Sequence, residues 1–103
     1  MRKEFTGMLP AVIDKFESLL SVVPGAVVVK GYDVSPGKDS FYYWGAACRM
    51  TSDNMVALKT AAENLNIIWL SDDGDMAVTN GLTIEDFKTY RVNGNLELTE
   101  EEL

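Results

Sequence analysis

Residues 66–80 read Asn66-Ile67-Ile68-Trp69-Leu70-Ser71-Asp72-Asp73-Gly74-Asp75-Met76-Ala77-Val78-Thr79-Asn80. Two short apolar runs flank an acidic turn that contains Asp73-Gly74, a strong short-range signal for a β-hairpin. The stretch predicts a strand over 66–71, a turn over 72–75 and a return strand over 76–80. A two-residue Asp73-Gly74 loop would set Asp72 opposite Asp75, and opposed like charges weaken a hairpin. A wider solvated loop, a Lys or Arg from a partner, or a cation would each relieve that conflict.

Upstream, Thr51-Ser52-Asp53 offers N-cap chemistry for a helix whose apolar stripe is Met55, Leu58, Ala62 and Leu65. Asn64 and Asn66 weaken its end. Further back, Val27-Val28-Val29 lies in a β-branched stretch over 26–34, and Ser35-Pro36-Gly37-Lys38 is a turn signal. Ser40-Phe41-Tyr42-Tyr43-Trp44-Gly45-Ala46-Ala47-Cys48 then reads as an aromatic return strand. A four-residue loop would set Val34 opposite Asp39. Tyr42 and Trp44 would share a sheet face with Val29 and Val27, and Phe41 and Tyr43 the opposite face with Tyr32 and Lys30.

The first element is a helix. Val12, Ile13, Phe16, Leu19, Leu20 and Val23 fall on one face of a 3.6-residue period, Pro10 suits the first turn, and Pro24-Gly25 ends it. Downstream, Thr83-Ile84-Glu85-Asp86-Phe87 predicts a capped helix from Thr83 to about Tyr90, with acids in the first turn. Asn93-Gly94 ends that helix or turns a further hairpin between Tyr90-Arg91-Val92 and Leu96-Glu97-Leu98, and residues 99–103 read as a frayed tail. The expected fold is α+β in the order α-β-β-α-β-β-α. It has two layers: a largely antiparallel sheet of two hairpins, with helices on one face.

The 103 residues are 47% hydrophobic and 24% charged, which fits a single globular domain over 1–103. With no histidine there is no Ser-His-Asp or Cys-His site and no His-ligated metal or haem, and one cysteine permits no internal disulfide. Cys48 ends an apolar strand and reads as a buried, inert thiol, with Arg49 alternating to the other face. The lone thiol and the lack of an export signal or a long apolar span predict a cytoplasmic protein away from membranes.

Net charge is −7 and falls unevenly: residues 1–52 carry +1 and residues 53–103 carry −8. Direct nucleic-acid binding is disfavoured, because that affinity rests on clustered Lys and Arg. A basic protein partner is favoured instead.

Two motifs fail on spacing. Gly31 to Asp39 is reminiscent of a phosphate-binding loop, but five residues separate Gly31 and Gly37, Asp39 stands where Ser or Thr is needed, and a strand follows instead of a helix. The aspartates at 72, 73 and 75 fit no frame of a calcium loop, so no metal is expected. No carboxylate pair is marked as facing another across a cleft, and no cofactor is implied.

These readings favour a non-enzymatic interaction protein, a regulator or inhibitor that binds another protein. The candidate contacts are Asp72, Asp73, Asp75, Glu85 and Asp86, which would steer toward a basic target or imitate nucleic-acid charge, and the aromatics Tyr32, Phe41 and Tyr43. A small, acidic, motif-free chain also suits an accessory protein of a phage or mobile element. The alternatives are a small-molecule or nucleotide sensor with a pocket lined by Tyr43 or Trp44, and a structural homo-oligomer, down to a homodimer, that buries its second aromatic sheet face.

Overall fold

In the computed structural model, which describes residues 2–90, a 3-10 turn over Lys3–Phe5 buries Phe5 and leads into helix α1, Pro10–Val22. Proline at the first helical position lacks an N–H that no intrahelical carbonyl would have met. Val12, Phe16 and Leu19 are the buried members of the predicted apolar stripe. Strands β1 (Val27–Lys30) and β2 (Ala47–Thr51), helix α2 (Met55–Asn64), strands β3 (Ile68–Trp69) and β4 (Asp75–Ala77) and helix α3 (Ile84–Tyr90) follow. The fold is α+β with the expected element order, and the four strands form one antiparallel sheet in the order β1-β2-β4-β3.

Strand alternation divides the sheet into two faces. Val28, Cys48, Met50 and Met76 face the main core, which also takes Val12, Phe16 and Leu19 of α1, Leu58 and Ala62 of α2 and Phe87 of α3. All three helices therefore cover the same face. Each such Leu, Val, Met or Phe contributes roughly 1.5–3 kcal/mol by leaving water. Among the described residues, no helix is long and apolar enough to cross a membrane.

The first hairpin departs from its sequence reading. Residues 41–45 form successive turns instead of a strand, and β2 starts only at Ala47. The register is Val27↔Thr51, Val28↔Met50 and Lys30↔Arg49, with a bulge between Val28 and Lys30. The link between the strands therefore spans residues 31–46, and Val34 does not pair with Asp39. Backbone geometry at Gly45 explains the change. Its φ is 72°, and a Cβ there would lie 3.0 Å from the Met8 Cα, so the chain turns sharply where it passes Met8. The Gly45 carbonyl accepts the Leu9 N–H at 3.2 Å, and the Tyr43 and Gly45 N–H groups donate back to Ser40 and Tyr42.

The aromatics bury themselves without a strand, and the expected face-sharing is lost. Trp44 sits in the main core, its indole N–H donating to the Lys38 carbonyl at 2.8 Å. Tyr42 crosses to the other sheet face and packs on Ala47 and Ala77.

The second hairpin is wider than two residues. The Leu70 N–H donates to the Asp75 carbonyl at 2.7 Å, so Leu70 faces Asp75 across a four-residue loop, 71–74. Asp72 is not opposite Asp75, and the like-charge conflict does not arise. Helix α2 is capped by Asn54, whose side chain accepts the Ala57 N–H at 3.0 Å, one residue beyond the expected Thr51-Ser52-Asp53. At its other end Asn66 adopts φ 61°, with Ile67 N–H bonded to the Ala62 carbonyl and Asn66 N–H to that of Glu63, a Schellman stop. The alternative readings of residues 91–98 and the tail at 99–103 lie outside the described residues.

Candidate functional site

Within the 31–46 link, Tyr42 lies over the second sheet face and is held there by Asp75, while Trp44 of the same link sits in the main core. Arg49, opposite Asp75 in the β2–β4 register, donates through Nε and Nη2 to its two carboxylate oxygens at 2.9 Å each. The Tyr42 hydroxyl donates to the same carboxylate, and the Ser71 hydroxyl donates at 2.7 Å. Lys30 sits 4.2 Å from the centre of the Tyr42 ring and pairs with Asp33 at 3.1 Å. The Arg49 guanidinium, helped by the two hydroxyls, holds Asp75 far below the usual carboxylate range. Burial, then the bond to Asp75, pushes the Tyr42 phenol well above its ordinary value. Asp75 is thus a fixed anion with its acceptor capacity committed to the fold, a clamp and not a proton carrier.

The five candidate acids separate into two groups. Asp75 is engaged as described. Asp86 accepts the Thr83 N–H at 2.8 Å while its own N–H donates to the Thr83 hydroxyl at 3.2 Å, the reciprocal cap expected for α3. Glu85 shares Lys88 with Asp39, at 3.1 and 2.7 Å, which ties α3 to the 31–46 link. Asp72 and Asp73 remain. Both are exposed on the β3–β4 tip, and their carboxylates make no hydrogen bond or ion pair among the described residues. The tip is fixed from below: Gly74 has φ 92° and passes so close to β2 that a Cβ would lie 2.0 Å from the Met50 carbonyl oxygen.

The candidate aromatics Tyr32, Phe41 and Tyr43 are half-buried against the main core and are not brought together with the acidic tip. Phe41 meets the Phe87 ring edge-on at 5.9 Å, and Tyr43 meets Trp44 at 5.0 Å. The Tyr32 ring covers Gly7.

A cleft of about 860 Å³ opens beside the tip, lined by Ile68, Trp69, Leu70, Ser71 and Asp72 with Lys59 and Glu63 of α2 along one side and Asn80 and Gly81 at one end. A smaller one of about 440 Å³ lies between α1 and the end of α2, where Lys15 donates to the Leu65 carbonyl at 3.0 Å. Asn66 and Asn80 line both, and neither is lined by Tyr43 or Trp44. Among the described residues, no cluster of three or more Cys, Asp or Glu could hold a metal ion.

Sequence reasoning marked Asp72 and Asp73 but missed the cleft, because its wall comes from α2 and its floor from β3 and no local spacing links the two. The available signal was the run Ile67-Ile68-Trp69-Leu70, apolar on both faces of a strand, of which the structure leaves Ile68 and Leu70 exposed. No family model, curated protein or solved structure matches the chain.

Proposed function

We propose that this chain is a small acidic interaction protein without enzymatic activity, which regulates another protein by binding it through the β3–β4 tip and the adjoining cleft. One observation carries the reading: Asp72 and Asp73 are exposed at the tip, with Asp72 lining the cleft, and neither carboxylate makes a hydrogen bond or ion pair among the described residues, while Asp75 and Asp86 are hydrogen-bonded within the fold and Glu85 shares Lys88 with Asp39 in an exposed ion pair. Carboxylates held on a rigid turn beside apolar Ile68 and Leu70 combine electrostatic steering with a surface to bury. A chain of net charge −7 selects a basic target. Imitation of nucleic acid by all five acids loses support, because the carboxylates of Asp75 and Asp86 are hydrogen-bonded within the fold.

The test is capture from lysate by tagged wild-type protein and by the double variant Asp72→Asn, Asp73→Asn, each at low and high salt. A protein retained by the wild type at low salt, and lost both at high salt and with the double variant, is the expected result. An identical set of captured proteins for both chains sinks the reading.

A further inference from the structure

Among the described residues strand β3 ends the sheet order, so one of its edges has no described strand beside it. On the other edge Ile68 pairs with Ala77, and the Leu70 N–H bonds to the Asp75 carbonyl. In an antiparallel ladder the residue between two such positions directs its N–H and C=O the opposite way, so Trp69 presents both groups outward. The 860 Å³ cleft is lined by both residues of β3 and by the residues on either side of it, 66–67 and 70–72. It touches residues of both parities, Ile68 and Leu70 from one sheet face and Trp69 and Ser71 from the other, the pattern of a space that meets the strand edge-on.

We propose that an extended segment of a partner protein, carrying Lys or Arg among alternating apolar residues, adds to β3 as a fifth strand in this cleft. The proposal rests on the preceding reading of the acidic tip and names the chemistry of the partner. Main-chain bonds to Trp69 supply the docking register, and alternate side chains supply specificity. One set of the incoming side chains lies over Ile68 and Leu70, exposed by 44% and 43%. The other set turns toward Lys59 and Glu63 on α2. Charge selects a basic segment: Asp72 lines the cleft, Asp73 stands beside it, and Lys59 is the one basic residue of the lining. A second copy of this chain is a poor occupant, because each copy carries −7 and like-charged surfaces repel.

The experiment selects a phage-displayed library of random dodecapeptides on the immobilised full chain, then titrates the most enriched peptide into 15N-labelled protein. The enriched sequences are expected to alternate apolar residues with Lys or Arg. The peptide is expected to move the amide resonances of Trp69 and its neighbours in β3. Ile68→Lys, at an exposed position that leaves the remaining spectrum intact, abolishes binding. Asp72→Asn with Asp73→Asn weakens it about tenfold, and raised salt weakens it as well.

No enrichment, enrichment of acidic or proline-rich sequences, or shifts confined to other surfaces overturns strand addition. So does protection of the Trp69 amide in the free chain, whether by residues 91–103 or by a dimer seen in sedimentation. If a captured partner depends on Asp72 and Asp73 while the β3 amides stay unmoved in its complex, strand addition falls and the acidic-tip reading stands. If the β3 amides move and the double variant binds unchanged, the tip reading falls, and with it the basic partner proposed here.

Discussion

The Tyr42 hydroxyl donates to the Asp75 carboxylate across 33 residues of chain, and this bond fastens Tyr42, and with it the middle of the 31–46 link, to the second face of the sheet. Tyr42→Phe keeps the ring on Ala47 and Ala77 and removes only the bond to the carboxylate, so it should cost about 1.5–3 kcal/mol in urea unfolding. Asp75→Asn strips the charge from beneath Arg49 as well and should cost more, roughly 2–4 kcal/mol. In the double variant the two losses should add to less than their sum, because both act on one network.

Acid should unfold the protein through the same carboxylate. Asp75 is held below its ordinary value, so its contribution is complete above the unfolded-state value, near 4, and is lost as pH falls below it. Asp33 is drawn down to about 2, chiefly by the Ser35 hydroxyl, and acts in the same direction from an exposed position. Thermal scans should show Tm falling steadily below about pH 4, with a shallower fall for Asp75→Asn. With no histidine in the chain, Tm should be nearly flat between about pH 5 and 8.

Cys48 is fully buried, and burial pushes its thiol well above the ordinary range. The neutral thiol is present in both states at neutral pH, so the raised value leaves stability unchanged there and lowers it as pH climbs past the unfolded thiol, about 8.5, where only the unfolded chain can ionise. Modification by an aromatic disulfide reagent at pH 8 should run at least about 100-fold slower in native protein than in urea, where the thiolate is free. Equal rates would mean the β2 face opens readily.

Two glycines separate backbone strain from collision. Gly37 and Gly74 have φ of 87° and 92°, but a Cβ on Gly37 meets nothing within 4 Å, whereas on Gly74 it meets the Met50 carbonyl oxygen. Gly37→Ala should cost about 1–2 kcal/mol, the left-handed penalty alone. Gly74→Ala should cost more than about 3 kcal/mol, or prevent folding, because a backbone atom of the central strand must move. Similar losses for the two would show that the tip is not seated on β2.

The parts legible in the sequence are those set by neighbours within a few residues. The period of Val12, Phe16 and Leu19 gave α1, and the Thr83–Asp86 spacing gave the cap of α3. Asp73-Gly74 gave the second hairpin and its four-residue turn, read over 72–75 and found one residue earlier at 71–74, a position that the bond from Leu70 to Asp75 decides. The aromatic run at 41–44 misled because strand propensity in large part measures burial, and here burial is met in turns. Nothing local announces that Gly45 must pass Met8. The acids were legible as charge but not as partners: Arg49 reaches Asp75 across 26 residues, and Lys88 reaches Asp39 across 49. Only Asp72 and Asp73, standing on a turn that the sequence itself marks, could be placed on the surface in advance.

The strand order β1-β2-β4-β3 also constrains how the chain is made. During synthesis β1, β2 and β3 leave the ribosome before β4, yet β4 is the strand that lies between β2 and β3. Until Asp75–Ala77 emerges, β2 carries an unpaired edge and β3 has no partner in the sheet at all. A nascent chain stopped before Asp75 therefore exposes an aggregation-prone strand, and sheet closure waits for the second half of the polypeptide.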